Sequence, residues 1–196
     1  MKFLKGNTPY NCTCLDLNNE WKAIHSLKKK YFSFIKLLIE LIMACIYAFG
    51  LGYNLFYLDR VLKTGLIFLV LLVVSYLFII IPHEFLHVLC YKTKDNVIIR
   101  YSLIKLKLVS YFDGTISKSR ALVLIILPFI VFTIIPTVAS YLLGFNLFLY
   151  ALASANSIKY GVDLLNFIFV IKNVPQNGNL IVNEYDFYFK SESINE

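Results

Sequence analysis

Four long apolar runs constrain the fold of this chain more than any other feature. They cover residues 32–57, 65–91, 121–143 and 145–171. About 20 helical residues cross the hydrocarbon core of a bilayer, so each run is long enough to span it. Short connections leave room for only small elements outside the membrane. We therefore predict an α-helical membrane protein with about four transmembrane helices.

The composition agrees with a membrane protein and argues against nucleic-acid binding. The 196 residues are 59% hydrophobic and 16% charged, and the mean hydropathy is +0.69. The net charge of +7 comes from lysines and arginines that cluster beside the apolar runs. There they can set the orientation of the chain and contact anionic lipid head groups. We predict a single domain over residues 1–196 that has the lipid bilayer, and not nucleic acid, as a partner.

Three polar stretches carry most of the basic residues and predict the orientation. They are the N-terminal tail 1–30, the segment 92–120 and the C-terminal tail 173–196. Basic residues accumulate on the cytosolic side of a membrane. Only Arg60 and Lys63 lie on the opposite side. The pattern predicts a multi-pass protein of the cell membrane with both termini in the cytosol.

The second and third polar stretches contain strand signals. "IKLKL" at residues 104–108 alternates apolar and basic side chains, and Asp113 and Gly114 are typical of a turn. After a further turn signal at Asn177 and Gly178 comes a possible strand that presents one apolar face, formed by Ile181, Tyr185, Phe187 and Phe189. We predict a small β element at the cytosolic face, in which the two segments pair.

The second run ends in "PHEFLH", which has the spacing of a zinc site. His83 and His87 are four residues apart, so on a helix both imidazoles face the same side and can bind one metal ion. Glu84 between them can reach a water on that metal. Pro82 lacks a backbone N–H and can open the helix just before the motif. The alternative is a structural polar cluster, which is costly within a membrane unless its groups are paired.

Catalytic zinc usually has three protein ligands, so one more is needed. His25 lies in the N-terminal tail and is interpreted as a surface residue. The acids within apolar runs are Glu40 and Asp163. Glu40 follows Lys36 by one turn, which indicates a simple ion pair.

A polar stripe favours Asp163 as the third ligand. It recurs at helical spacing in the fourth run and consists of Asn156, Lys159, Asp163 and Asn166. Such a stripe faces protein or water. An ion pair between Lys159 and Asp163 is the alternative explanation. Asn156 is a candidate for binding substrate, although an interhelical hydrogen bond explains it equally well.

The sequence resembles a family of small multi-pass membrane proteins described as putative zincin peptidases, and more distantly the site-2 proteases. The resemblance rests on "HEFLH", "SKSRALVLIILPFIV" and "SANSIKYGVDLL", and covers residues 80–189. It implies that His83, His87 and Asp163 are zinc ligands, that Glu84 is the catalytic acid and base, and that Asn156 lies near the substrate.

These features predict a zinc-dependent membrane metallopeptidase that cleaves membrane proteins or peptides near the cytosolic face. Glu84 acts as general base toward a zinc-activated water. A strand such as "LIKLKLV" is expected to hold an extended substrate by edge pairing. Two other functions stay open: ion or proton passage through the His/Glu/Asp layer, and partner binding by a catalytically silent relative. The sequence does not indicate an oligomeric state.

Overall fold

A computed structural model describes residues 2–5, 21–24, 28–55, 61–91, 93, 97–102, 107–112, 114–183 and 186–190. The helices are α1 Lys29–Leu55, α2 Val61–Cys90, α3 Lys118–Phe129, α4 Ile135–Leu142, α5 Leu147–Lys159 and α6 Gly161–Asn173, and a π-helical segment Ile130–Ile134 joins α3 to α4. The strands are β1 Lys2–Lys5, β2 Lys22–Ala23, β3 Val97–Ser102, β4 Lys107–Phe112, β5 Ile116–Ser117, β6 Asn179–Asn183 and β7 Asp186–Lys190. This confirms a predominantly helical fold with a small β element.

Three helical stretches in the described part of the chain are long and apolar enough to cross a membrane. They are Lys30–Asn54, Leu62–Cys90 and Lys118–Leu142, and they match the first three predicted runs within a few residues. Large apolar side chains on these helices are exposed, with Phe49 at 80% and Leu62 at 83%. Exposed apolar surface of this kind is unfavourable in water and compatible with lipid, so the helices suit a bilayer.

The fourth predicted helix is divided in two, which corrects the expectation of one continuous span over 145–171. α5 and α6 have 13 residues each, with Tyr160 in a turn between them. Each is only about 20 Å long, shorter than the roughly 30 Å hydrocarbon core. Gly161 lies at the break, where an added Cβ would be 2.8 Å from Cγ of Glu40. The missing side chain therefore makes room for Glu40 beside the start of α6.

The strands form two sheets, and the C-terminal segment differs from its prediction. One sheet has the order β1-β3-β4 and the other β2-β7-β6-β5. The predicted single strand is an antiparallel hairpin, in which Ile181 of β6 pairs with Tyr188 of β7. Tyr185, Asp113 and most of "IKLKL" lie outside the described residues. The predicted pairing of the two segments is confirmed by β5 and β6, where Ile116 pairs with Leu180.

The chain divides into two compact units. The strand unit comprises Met1–Leu27, His83–Leu127 and Asp163–Glu196, and the helical unit comprises Lys28–Pro82 and Pro128–Val162. The core of the strand unit includes Val88, Val97, Phe112, Ile125, Val170 and Leu180. The core of the helical unit includes Tyr47, Phe68, Tyr150, Ala151 and Ala153. The single domain expected over residues 1–196 stays a prediction.

Lys118 connects α3 to the end of α6 by hydrogen bonds within the strand unit. This lysine begins α3 and is only 8% exposed. Its Nζ donates hydrogen bonds to the carbonyl of Val174 at 2.6 Å and to that of Ile171 at 3.2 Å. The last carbonyls of a helix lack partners within it and attract a positive charge. The buried ammonium therefore hydrogen-bonds two carbonyls at and just beyond the C-terminal end of α6.

Replacing this ammonium should destabilise the strand unit. Lys118→Met keeps much of the apolar stem but leaves buried carbonyls without their donor, and we expect a loss of about 1–3 kcal/mol in the free energy of unfolding. Lys172→Met removes an exposed lysine from the last turn of the same helix and should change stability by no more than about 0.5 kcal/mol. Thermal or urea unfolding of the detergent-solubilised protein measures both. Equal stability of the two variants would contradict this role.

Candidate metal site

His83 and His87 lie on one face of the last turns of α2. Residues four apart on a helix are neighbours, and here the two ring centroids are 5.0 Å apart with the rings at 77°. Both residues are buried, His83 at 1% and His87 at 7% exposure. Pro82 lies inside the same continuous helix. The predicted pairing of the two imidazoles is present.

The orientation of His87 is set by α3. Nδ1 of His87 lies 2.9 Å from the backbone carbonyl of Leu124. A carbonyl can only accept a hydrogen bond, so Nδ1 carries the proton and the lone pair of a neutral ring is on Nε2. Histidine ligands of metals are commonly held in this way by a second hydrogen bond. The Leu124 carbonyl therefore leaves the lone pair on Nε2 of His87, from which a neutral imidazole could bind a metal ion.

Asp163 brings a carboxylate to the same two nitrogens. Its Oδ2 lies 3.2 Å from Nε2 of His83 and 4.0 Å from Nε2 of His87. Asp163 is in the first turn of α6, where the positive end of the helix dipole favours a negative charge. The side chain is 24% exposed. Residues 80 positions apart are thus brought into direct contact within the strand unit.

Glu84 adds a second carboxylate beside the histidines. Potential metal-binding atoms of His83, Glu84 and His87 all lie within 4.8 Å of one another, which is close enough to hold a metal ion. Oε2 of Glu84 accepts hydrogen bonds from the backbone N–H of Ser110 at 3.3 Å and from the Ser110 hydroxyl at 3.4 Å. Strand β4 thereby contacts the carboxylate from outside the motif.

A small cavity opens onto these groups. It has a volume of about 50 Å³ and is lined by Glu84, His87, Tyr91, Ser110, Leu124, Ile125, Asp163, Asn166, Val182 and Phe187. A cavity of this size holds a water molecule where several polar groups surround it. The cavity therefore offers space for a small reactant next to His87 and both carboxylates.

The other candidate residues have contacts within the helical unit. The Asn156 amide group donates to the carbonyl of Pro128 at 3.2 Å and to Oγ1 of Thr133 at 2.9 Å. These are interhelical hydrogen bonds, which the sequence analysis gave as the alternative role of Asn156. Its role in substrate binding stays a prediction. Glu40 forms the expected ion pair with Lys36, at 3.4 Å. His25 lies outside the described residues.

The sequence analysis did not identify Ser110 and Leu124, which hydrogen-bond to Glu84 and His87 from β4 and α3. Ser110 is an ordinary serine in a strand, and Leu124 contributes a backbone carbonyl, a group that every residue has. Neither residue type nor spacing identifies them. Asn166 was recognised in the polar stripe but without a role, and the structure places it at the cavity, 2% exposed.

These observations define a class: a helical protein with helices of membrane length and a histidine pair that could hold a metal ion beside two carboxylates. Residues 76–178 match the model of the family described as "Putative zincin peptidase". The match covers more than half of the chain, which therefore belongs to this family. No curated protein and no solved structure matches the chain. The more distant likeness to the site-2 proteases stays a prediction.

Metal binding should depend on the α2 histidines and not on the third histidine of the chain. We expect the purified protein to bind about one zinc ion per chain, and His83→Ala or His87→Ala to weaken the affinity by about 100-fold or more, because loss of a ligand exceeds the 10–100-fold effect of losing its hydrogen-bond partner. His25→Ala is the matched control and should keep its zinc. Elemental analysis and chelator competition measure these affinities. Full zinc retention in His83→Ala would exclude this site.

Proposed function

We propose that this protein is a zinc-dependent membrane peptidase in which His83, His87 and Asp163 hold the metal. The observation that carries the proposal is the approach of Oδ2 of Asp163 to Nε2 of both histidines, at 3.2 and 4.0 Å. Asp163 belongs to a different helix, and its contact completes the three-ligand set that hydrolytic zinc sites use. The family membership of the chain supports the same assignment.

The donor atoms fit zinc in type and spacing. Two imidazole nitrogens and one carboxylate oxygen are typical of catalytic zinc. Two donors that each lie about 2.0–2.1 Å from a tetrahedral ion are roughly 3.3–3.4 Å apart. The distance from Oδ2 of Asp163 to Nε2 of His83, 3.2 Å, is close to this value, and the distance to Nε2 of His87, 4.0 Å, is longer than it. The cavity beside Glu84 and His87 leaves space for the fourth position.

Each residue of the site then has a defined task. When bound, zinc supplies an activated water, with its pKa lowered to about 7, and polarises the carbonyl of a substrate. Glu84 accepts a proton at its carboxylate during attack on the peptide carbonyl and returns that proton to the leaving amine. The Leu124 carbonyl keeps His87 in the tautomer that binds through Nε2. Asn156 stays a candidate for binding substrate.

The surroundings of the site indicate the substrates and the location. Apolar helices of membrane length support a multi-pass protein of the cell membrane. Basic residues in the three polar stretches support a cytosolic location for both termini. Membrane proteins, or peptides at the membrane surface, are therefore the proposed substrates. Reporter fusions at each terminus test the orientation.

The third ligand can be tested by comparing two acids. Asp163→Ala should reduce the affinity for zinc by about 100-fold or more, since it removes a donor atom, whereas Glu40→Ala should leave the affinity within about twofold because Glu40 is paired with Lys36. Chelator competition on purified protein measures both variants. A loss confined to Glu40→Ala would reverse the assignment.

The role of Glu84 separates metal binding from catalysis. Glu84→Gln keeps a side chain of equal size that cannot accept the proton, so we expect zinc to be retained and hydrolysis to fall by about 10²–10⁴-fold. Membrane proteomes of cells that express the wild type and the variant reveal the substrate as a protein whose fragments appear only with the wild type. Asn156→Ala, examined in the same way, tests substrate binding. Fragments that persist at full level with Glu84→Gln would contradict the proposed mechanism.

A further inference from the structure

Ser110 contacts Glu84 from a buried position on a paired strand. It lies in β4, where it pairs with Ile99 of β3, and it is only 6% exposed. Its backbone N–H and its hydroxyl both point to one oxygen of the carboxylate, Oε2, at 3.3 and 3.4 Å. These distances are long for hydrogen bonds, as is common for catalytic groups without a bound reactant.

Glu84 needs such a contact because of its place in the motif. Its carboxylate is within 4.8 Å of the nitrogens of His83 and His87. Carboxylates are themselves good zinc ligands, and glutamate has a flexible side chain. A Glu84 side chain that turned onto the metal would occupy the position required by water and could no longer accept a proton from it. Another group must therefore hold the Glu84 carboxylate near the metal position without letting it become a ligand.

We propose that Ser110 is the positioning residue that keeps Glu84 available as a base and prevents it from becoming a metal ligand. This inference rests on the proposed zinc site. Both hydrogen bonds from Ser110 are accepted by the same carboxylate oxygen, Oε2 of Glu84. The two donors come from one residue of a paired strand, so the direction of the carboxylate is set by the sheet and not by α2 alone.

Of the two hydrogen bonds from Ser110 to Glu84, only the one from the serine hydroxyl can be removed by mutation. In Ser110→Ala the backbone N–H is kept, so one of the two hydrogen bonds is retained and the carboxylate is released only in part. Ser110→Thr and Ser110→Val form a matched pair, because they have the same branched shape and only threonine carries a hydroxyl. Their comparison separates hydrogen bonding from packing within β4.

Cobalt substitution gives a readout that does not depend on an identified substrate. Purified protein is loaded with Co²⁺, whose visible absorption responds to the number and type of its ligands. We expect Ser110→Ala and Ser110→Val to show altered bands and to bind Co²⁺ at least as tightly as the wild type. Ser110→Thr should restore the spectrum of the wild type.

A double variant shows whether Glu84 causes the change. If Glu84 has joined the metal in Ser110→Ala, then Ser110→Ala combined with Glu84→Gln should have the spectrum of Glu84→Gln alone. Ser157→Ala is the matched control, because it removes a buried hydroxyl that donates to the carbonyl of Ser154 in α5. It should leave the cobalt spectrum unchanged.

The outcomes distinguish this inference from the proposed function. Spectra of Ser110→Ala and Ser110→Val that equal that of the wild type would overturn the role of Ser110 and leave the metal site intact. A spectral change that persists in the double variant relative to Glu84→Gln would also overturn it, because Glu84 would not be the cause. Failure of the wild type to bind Co²⁺ or Zn²⁺ would overturn the metal site itself, and the role of Ser110 with it.

Discussion

The contact between Asp163 and the two histidines of α2 is the interaction on which the rest of the site depends. A carboxylate oxygen 3.2 Å from one imidazole nitrogen and 4.0 Å from the other requires α6 to begin at a fixed place beside α2. Helix α3 contacts both α6 and α2. Its Lys118 binds the carbonyls at the end of α6, and its Leu124 carbonyl holds His87. α3 therefore connects the two helices that supply the proposed ligands.

The same contacts explain how polar groups are kept in such an apolar chain. A buried polar group is costly unless it has a hydrogen-bond partner, and two histidines with two carboxylates would otherwise be unfavourable in the strand unit. Here His83 contacts Asp163, His87 contacts Leu124, and Glu84 contacts Ser110. These contacts come from α6, α3 and β4. The site is thus assembled from several chain segments around one helical motif.

Much of the fold could be predicted because lipid-compatible helices leave a strong signal. Three apolar runs are helices close to the expected bounds, since a continuous apolar stretch must satisfy its backbone hydrogen bonds internally. The fourth run gave the same signal but contains a turn at Tyr160. Hydropathy does not detect such a break, because it is averaged over neighbouring residues, whereas the close contact of Gly161 is with Glu40, which is distant in the sequence. The C-terminal hairpin was missed in part, because Ile181, Tyr185, Phe187 and Phe189 are all odd-numbered positions and resemble one face of a single strand.

By itself, the sequence determined the local part of the site. Helical spacing places His83 and His87 on one face with Glu84 beside them, and this follows from 3.6 residues per turn whatever the remaining chain does. The sequence also narrowed the candidates for a third metal ligand to Glu40 and Asp163. Only the tertiary structure decided which carboxylate approaches the histidines, which carbonyl sets the tautomer of His87 and which serine contacts Glu84. These contacts join residues 26 to 80 positions apart, so they depend on the packing of separate elements, about which local periodicity carries no information.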